Sequence, residues 1–174
     1  MCSSDLVLVN NAGVMLYDDL GDPAALERQL AVNLYGPFAV TNAFLPQLVE
    51  SQGTIVNNVS MEALAPVPVH PSYAISKAAA FNMTQSLRGL LAAKGVSVHA
   101  MLAGPTDTDM MRGLEAPKAT PQSVAEGIFD GVERGEEEIF PDAMSLKLAE
   151  SWRTGAVKEF EHQFAALVNP QPVA

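Results

Sequence analysis

Leu6-Val7-Leu8-Val9 is a continuous apolar run that stops abruptly at Asn10-Asn11-Ala12-Gly13. Four adjacent apolar residues closed by asparagine and glycine read as a buried strand running into a turn. The same grammar returns at residues 53–59, rich in β-branched side chains, and at residues 96–102. A short Glu138-Ile139-Phe140 precedes Pro141. Helical segments fill the gaps. Asp22-Pro23 supplies an N-cap followed by proline at the first helical position, and the pattern runs to about residue 50 with a kink expected at Gly36-Pro37. A second long helix runs from Pro71 to about residue 93, closed by Lys94-Gly95, and a third opens at Thr120-Pro121. From residue 145 to 168, Leu148, Trp152, Ala156, Phe160, Phe164 and Leu167 recur at three or four, which predicts one amphipathic helix over 142–168. Residues 169–174 read as a flexible tail. Alternating strands and helices imply an α/β fold with a parallel sheet covered on both faces.

Composition narrows the function. The chain has 174 residues, 48% hydrophobic and 17% charged, which excludes a disordered or collagen-like polymer. Ten Lys and Arg against twenty Asp and Glu give a net charge of −10, so no nucleic-acid partner is expected. No apolar run reaches the ~18 residues of a membrane helix, and the basic-then-apolar pattern of a signal peptide is missing, so no membrane partner is expected. The single cysteine, Cys2, excludes an internal disulfide and fits a reducing, cytoplasmic setting.

In a parallel sheet, ligands bind beyond the carboxyl ends of the strands. Asn10 and Asn11, Ser60, and residues 104–108 all fall there. Tyr73 and Lys77 lie four apart at the start of a helix and therefore share a face. An ammonium beside a phenol favours the phenolate and lowers its pKa from about 10, which suits general acid–base work. The spacing alone is common on solvated helix faces. Ser60 at a strand end could hold a substrate oxygen beside the phenol, or merely cap a turn. Asn33 stands mid-helix, where asparagine is a poor helix former.

Taken together, Asn10-Asn11-Ala12-Gly13, Asn33, Ser60, Tyr73-Ala-Ile-Ser-Lys77 and Gly104-Pro105-Thr106-Asp107-Thr108 resemble the ordered signature of the short-chain dehydrogenase/reductase family, in its compact oxidoreductase branch. The similarity covers residue 7 to about 141, a partial Rossmann-like domain. The resemblance implies a doubly wound sheet and hydride transfer between NAD or NADP and a small-molecule carbonyl or secondary alcohol. It makes Tyr73 the acid/base and gives Lys77 two roles: lowering the tyrosine pKa and binding the nicotinamide ribose. It has Ser60 orient the substrate oxygen and Asn33 hold a water that links Lys77 to solvent. Asn10, Ala12 and Gly13 would line the adenosine side, and Gly104, Thr106 and Thr108 the carboxamide side. Family members pair through the helices at 22–50 and 71–93, so a homo-oligomer of the full-length protein is implied, with Ala78, Ala79, Ala80 and Phe81 as packing surface.

Departures from the pattern are informative. Ala103 stands where the family usually has proline, predicting a less rigid turn before Gly104. Met61, Met110 and Met111 could line an adaptable apolar substrate pocket or simply fill core gaps. The family's opening glycine-rich strand-to-helix turn, which cradles a pyrophosphate, is missing from the sequence. The resemblance thus covers the C-terminal half of a doubly wound sheet, and the chain alone is expected to bind cofactor weakly or not at all and to be inactive by itself. Cys2-Ser3-Ser4-Asp5-Leu6 can be encoded by the end of a widely used sequencing adaptor, so residues 1–6 are expected to be non-native. Two other readings stay open: a non-catalytic fragment or pseudoenzyme acting as a binding module, and an epimerase or dehydratase of the same superfamily. His70 is expected in a solvated loop, His99 in the core, His162 on a charged helix face, and 133–138 as a solvated acidic turn. No spacing suggests a metal.

Overall fold

The computed structural model describes residues 6–168. The expectations for Cys2, for the N-terminal run up to Asp5 and for the tail at 169–174 lie outside the described residues. Four strands, β1 (Val7–Asn10), β2 (Thr54–Asn58), β3 (Ser97–Met101) and β4 (Glu138–Ile139), form one parallel sheet in the order β1-β2-β3-β4. Six α-helices are described: α1 (Pro23–Leu30), α2 (Gly36–Ser51), α3 (Pro71–Leu91), α4 (Pro121–Glu133), α5 (Leu146–Arg153) and α6 (Ala156–Ala165). None is long and apolar enough to cross a membrane.

The register pairs Val9 with Val56 and His99, and Asn10 with Asn57 and Ala100. Strand alternation then sorts the side chains between the two faces. Leu8, Ile55 and Val98 point one way and pack with Leu48 of α2 and Leu87 and Leu91 of α3. Further along that face, Phe81, Ala100, Leu102 and Phe140 join Ala149 and Trp152 of α5, with the Phe81 and Trp152 rings 5.3 Å apart. The opposite face is covered by α4, whose Gly131 backs so closely onto Ile139 that a Cβ there would lie 2.7 Å away. Helices on both faces make the sheet doubly wound.

β1 is buried on one face only. Val7 and Val9 are 43% and 48% exposed, because β1 is an edge strand with one open face among the described residues. Its other face is buried and partly polar. Asn10 Nδ2 donates to Asn57 Oδ1 at 2.8 Å and to Thr41 Oγ1 at 3.1 Å, while Asn57 Nδ2 donates to Thr84 Oγ1 at 3.0 Å. This ladder ties β1 and β2 to α2 and α3, and it explains how asparagines interrupt buried strands at no uncompensated cost.

The helical stretch at 22–50 is not simply kinked at Gly36-Pro37. Residues Ala31–Tyr35 form a π-turn, in which the Gly36 N–H reaches back five residues to the Ala31 carbonyl. Pro37 has no N–H to donate, so the ordinary ladder fails here and widens instead. The widened turn keeps Gln29, Asn33, Thr41 and Leu48 all facing inward.

The segment expected as one helix over 142–168 is two, broken at Thr154–Gly155, where Gly155 takes up extended backbone with ψ 151°. Beyond the break, α6 docks by its charged face. Lys158 is buried, while Phe160 and Phe164 stack on each other in the open. The reason is the 136–138 turn, expected to be solvated. Glu138 is 2% exposed and pairs with Arg88 at 2.9 Å and with Lys158 at 2.8 Å. Arg88 also pairs with Glu161, whose other oxygen contacts Lys158 at 2.9 Å. The carboxylates of Glu137, Glu138 and Glu161 lie within 4.8 Å of one another and share these two cations. Buried charges require such pairing, and that requirement outweighs the apolar stripe.

Glu137 reports on this network. Burial alone would raise its carboxyl, but hydrogen bonds from His162 and Lys158 and the charges of Arg88 and Lys158 hold it down at about 2. A folded-state pKa below the ordinary 4.5 contributes stability that is complete above that value and is lost as pH falls toward 2. Glu137→Gln is therefore expected to lower the urea midpoint at neutral pH and to match the parent near pH 2. An equal deficit at both pH values would contradict this.

Candidate functional site

The carboxyl ends of β1, β2 and β3, together with the first turns of α3, enclose a cleft of about 950 Å³. Its walls bring together Asn11, Ala12 and Gly13 after β1, Ser60 after β2, Tyr73 and Lys77 from α3, and Gly104, Thr106 and Thr108 after β3. Parallel strands place these distant segments side by side, and the α3 period puts Tyr73 and Lys77 on the same wall.

Lys77 is 3% exposed; its Nζ donates to the Asn58 carbonyl at 2.8 Å and lies 5.5 Å from the centre of the Tyr73 ring. Burial pushes this amine down to about 8. Tyr73 moves the other way. Burial pushes the phenol up to about 12, with Glu62 adding to the rise and a hydrogen bond with Ser60 opposing it. The expectation that Lys77 lowers the phenol is thus not met in this state, since desolvation dominates and the ammonium faces the ring. Ser60 Oγ accepts the Glu62 N–H at 3.1 Å and shares a hydrogen bond with the Tyr73 phenol.

Asn33 is buried beneath the cleft floor. Its Oδ1 accepts the Val14 N–H at 2.8 Å, and its Nδ2 donates to the Val14 carbonyl and to Ser76 Oγ, both at 2.9 Å. Ser76 in turn donates to the Tyr73 carbonyl at 2.7 Å. The amide therefore joins the loop after β1 to the turn of α3 that carries Tyr73. Gly13 lies over this junction, where a Cβ would sit 3.3 Å from Asn33 Oδ1 and 3.5 Å from Lys77 Nζ. A side chain there would fill the floor of the cleft beside the ammonium.

Not every expected residue converges. The Asn10 side chain turns away into the polar ladder beneath the sheet, and Asn11 lines the cleft instead. The Asn11 side chain is held by Asn58, whose Nδ2 donates to it at 2.9 Å. Thr106 and Thr108 do line the cleft, Thr106 also forming an isolated bridge with Ala119 and Thr108 lying exposed at its rim with Oγ1 3.4 Å from the Thr106 carbonyl. Ala103 does not loosen the following turn, because the Asp142 carboxylate accepts the Gly104 N–H at 2.7 Å. Asp142 lacks a local sequence signal for this, since the contact spans 38 residues. Met61, Met110 and Met111 do line the cleft, joined by Met144. His70 is 7% exposed, against its solvated reading, and pairs with Glu62. His99 is a buried core residue whose Nδ1 lies 2.7 Å from the Glu136 carbonyl. Ala80 and Phe81 are buried within the chain's own fold. A second groove of about 630 Å³ runs between α3 and α6; Glu161 is its one ionisable lining residue among those described, and Arg88 already pairs with it.

Comparisons with known proteins give a consistent picture. The short chain dehydrogenase family profile matches residues 6–119. Short-chain dehydrogenase/reductase 3 of Bos taurus is 37% identical over 137 residues, covering 73% of this chain and 45% of that protein. The 2-(S)-hydroxypropyl-CoM dehydrogenase 3 of Xanthobacter autotrophicus is 34% identical over 119 residues, covering 66% of this chain and 47% of that protein. The chain spans about half the length of the curated relatives it matches. A short chain dehydrogenase from Burkholderia cenocepacia J2315, solved in complex with NADP, superposes with a TM-score of 0.80 at 30% identity, over 93% of this chain and 71% of that one. A Sphingobium yanoikuyae short-chain dehydrogenase in complex with NADPH shares the fold, with a TM-score of 0.77 at 22% identity over 97% of this chain and 67% of that one.

Two outcomes follow from the geometry. Asn33→Ala leaves Val14 and Ser76 without their partner and is expected to cost about 1–3 kcal/mol in urea denaturation, with faster amide exchange at Val14. Unchanged exchange would sink the tether. The Lys77 side-chain carbon signal, followed by NMR against pH, is expected to titrate at about 8. A midpoint near the ordinary ~10.4 would mean the amine is solvated.

Proposed function

The chain belongs to the short-chain dehydrogenase family, and on that footing we propose that its cleft is the nicotinamide and substrate end of an NAD(P)-dependent oxidoreductase acting on a carbonyl or secondary alcohol. The observation that supports this reading is the convergence of Ser60, Tyr73 and Lys77 on one cleft at the carboxyl edge of the sheet. When bound, the cofactor supplies or accepts a hydride. The chemistry of the cleft suits it: a lysine donor beside a glycine floor would hold the ribose hydroxyls, with Ala12, Gly13, Gly104, Thr106 and Thr108 around it. The NADP complex of the Burkholderia neighbour supports a nicotinamide dinucleotide here.

The residues divide the remaining work. Ser60 offers its hydroxyl proton to the substrate oxygen and so stabilises charge that develops there. Tyr73, kept protonated by burial, is poised to give a proton to that oxygen during reduction. An oxygen gaining negative charge is a strong acceptor, so a phenol with a high pKa still donates to it. Lys77 holds a compensating charge near the ring and would draw a proton from solvent through a water at Asn33. Pro37 cannot supply an N–H to the Asn33 carbonyl, which suits that carbonyl to holding a water. Met61, Met110, Met111 and Met144 make the far end of the cleft apolar and deformable, which favours substrates with a hydrocarbon body around the carbonyl. Exposed Tyr35 at the end of the π-turn and Phe38 and Phe44 on α2, with Ile75 and Leu90 on α3, support a homo-oligomer of the whole protein.

Saturation-transfer NMR of the 174-residue chain with NADPH tests the reading directly. Transfer to the nicotinamide and its ribose is expected, and is expected to vanish in Lys77→Met. Tyr73→Phe should keep that transfer while lowering reduction of an apolar ketone by a factor on the order of 10²–10⁴ wherever turnover is measurable. No transfer to the nicotinamide ribose from the parent chain would overturn the assignment.

A further inference from the structure

The loop between Ser60 and Tyr73 contains a buried pair that the mechanism above does not use. Glu62 Oε2 lies 3.0 Å from His70 Nδ1, with side chains 12% and 9% exposed, and neither atom has a hydrogen-bond partner elsewhere among the described residues. Each member is joined to one of the reacting residues. The Glu62 N–H is bonded to Ser60 Oγ, and the His70 carbonyl accepts the Tyr73 N–H at 3.1 Å. The His70 ring also stands edge-on to the Tyr73 ring, with centroids 5.8 Å apart at 87°, and makes a second edge contact with Tyr17 at 5.8 Å and 64°.

We infer that Glu62 and His70 are positioning residues that clamp the 61–70 loop and so fix where the Ser60 hydroxyl stands relative to the Tyr73 phenol. The inference rests on the reading of Ser60 and Tyr73 as the reacting pair. The loop carries no strand and only one short 3₁₀ turn, Met61–Ala63, so backbone hydrogen bonding alone does little to hold its two ends together. A side-chain contact across eight residues closes it. The Val67 N–H also faces the Glu62 carboxylate, which folds the middle of the loop onto the same point. Burial pushes the Glu62 carboxyl above its ordinary range, against His70 and that N–H. Water therefore solvates the group poorly, and losing either partner leaves the other without a substitute. Reaction geometry is sensitive to such shifts, since a misplacement of about 1 Å can cost about a hundredfold in rate.

The test reads Tyr73 itself. In the 174-residue chain carrying ¹³C-labelled tyrosine, the Tyr73 ring signal is identified by its loss in Tyr73→Phe, and exposed Tyr35 serves as the unmoved reference. Glu62→Gln and His70→Asn are each expected to shift the Tyr73 signal. The double variant should shift it no further than the larger single effect, because the two residues act as one contact. Glu62→Asp, which keeps the charge but shortens the reach, should behave like Glu62→Gln. A Tyr73 signal unmoved by both single variants, additive shifts in the double, or a parent-like Glu62→Asp would each overturn the clamp. None of these readouts needs cofactor, so a failure of nicotinamide binding would strike the catalytic reading and leave this result interpretable.

Discussion

Strands that run parallel must all finish on the same edge, and this constraint arranges everything else in the molecule. Each return to the starting edge needs a crossover, which here is a helix, and each strand end releases a loop beside its neighbour's. Residues 11–13, 58–60 and 101–104 are far apart in the chain yet share one rim for that reason. The apolar core beneath the sheet, from Leu8 through Ile55 to Val98, holds the rim in register. The chemistry is a by-product of the topology: α3 starts where the rim ends, so its first two turns deliver Tyr73 and Lys77 to the cleft.

The fold was legible because its signals are local. Apolar runs ending in asparagine or glycine, and Asp22-Pro23, Thr120-Pro121 and Lys94-Gly95 at helix ends, each carry their own physical cause. Ser60, Tyr73 and Lys77 were legible for a related reason, since their order and spacing form a pattern larger than chance. The features the sequence hid are long-range. Asp142 bonding Gly104 and Arg88 gathering three glutamates depend on which distant groups meet after folding. The inward charged face of α6 was invisible to an apolar count, because Lys158 answers to Glu138 rather than to the periodicity of its own helix. Asn10 was misread through its company: it shares a tetrapeptide with Ala12 and Gly13, yet strand alternation sends its side chain to the opposite side of the sheet.

The electrostatics of the cleft show why proximity is a poor guide to ionisation. Tyr73 and Lys77 are both more than nine-tenths buried by their surroundings, and each drifts toward its neutral form, the phenol upward and the amine downward. A simple pairing argument gives the opposite direction for the phenol. Desolvation acts on both partners at once, whereas attraction acts only along the line between two charges, and that line here ends at a ring face. The protonation states of such a pair belong to whatever shares the cavity with them.

The π-turn at Ala31–Tyr35 has a consequence for how this region tolerates change in length. From Thr41 to Leu48 the inward residues are seven apart, two ordinary helical turns, but from Asn33 to Thr41 they are eight apart. The widened turn absorbs the odd residue. Losing the Pro37 codon would both restore a donor and remove the odd residue, letting the helix run on smoothly, and in doing so would rotate α2 by about 100° relative to α1. The hydrogen-bond ladder would look better than before, while Thr41 would leave Asn10 and Leu48 would leave the core. A helix mended by such a deletion would be a sheet undone.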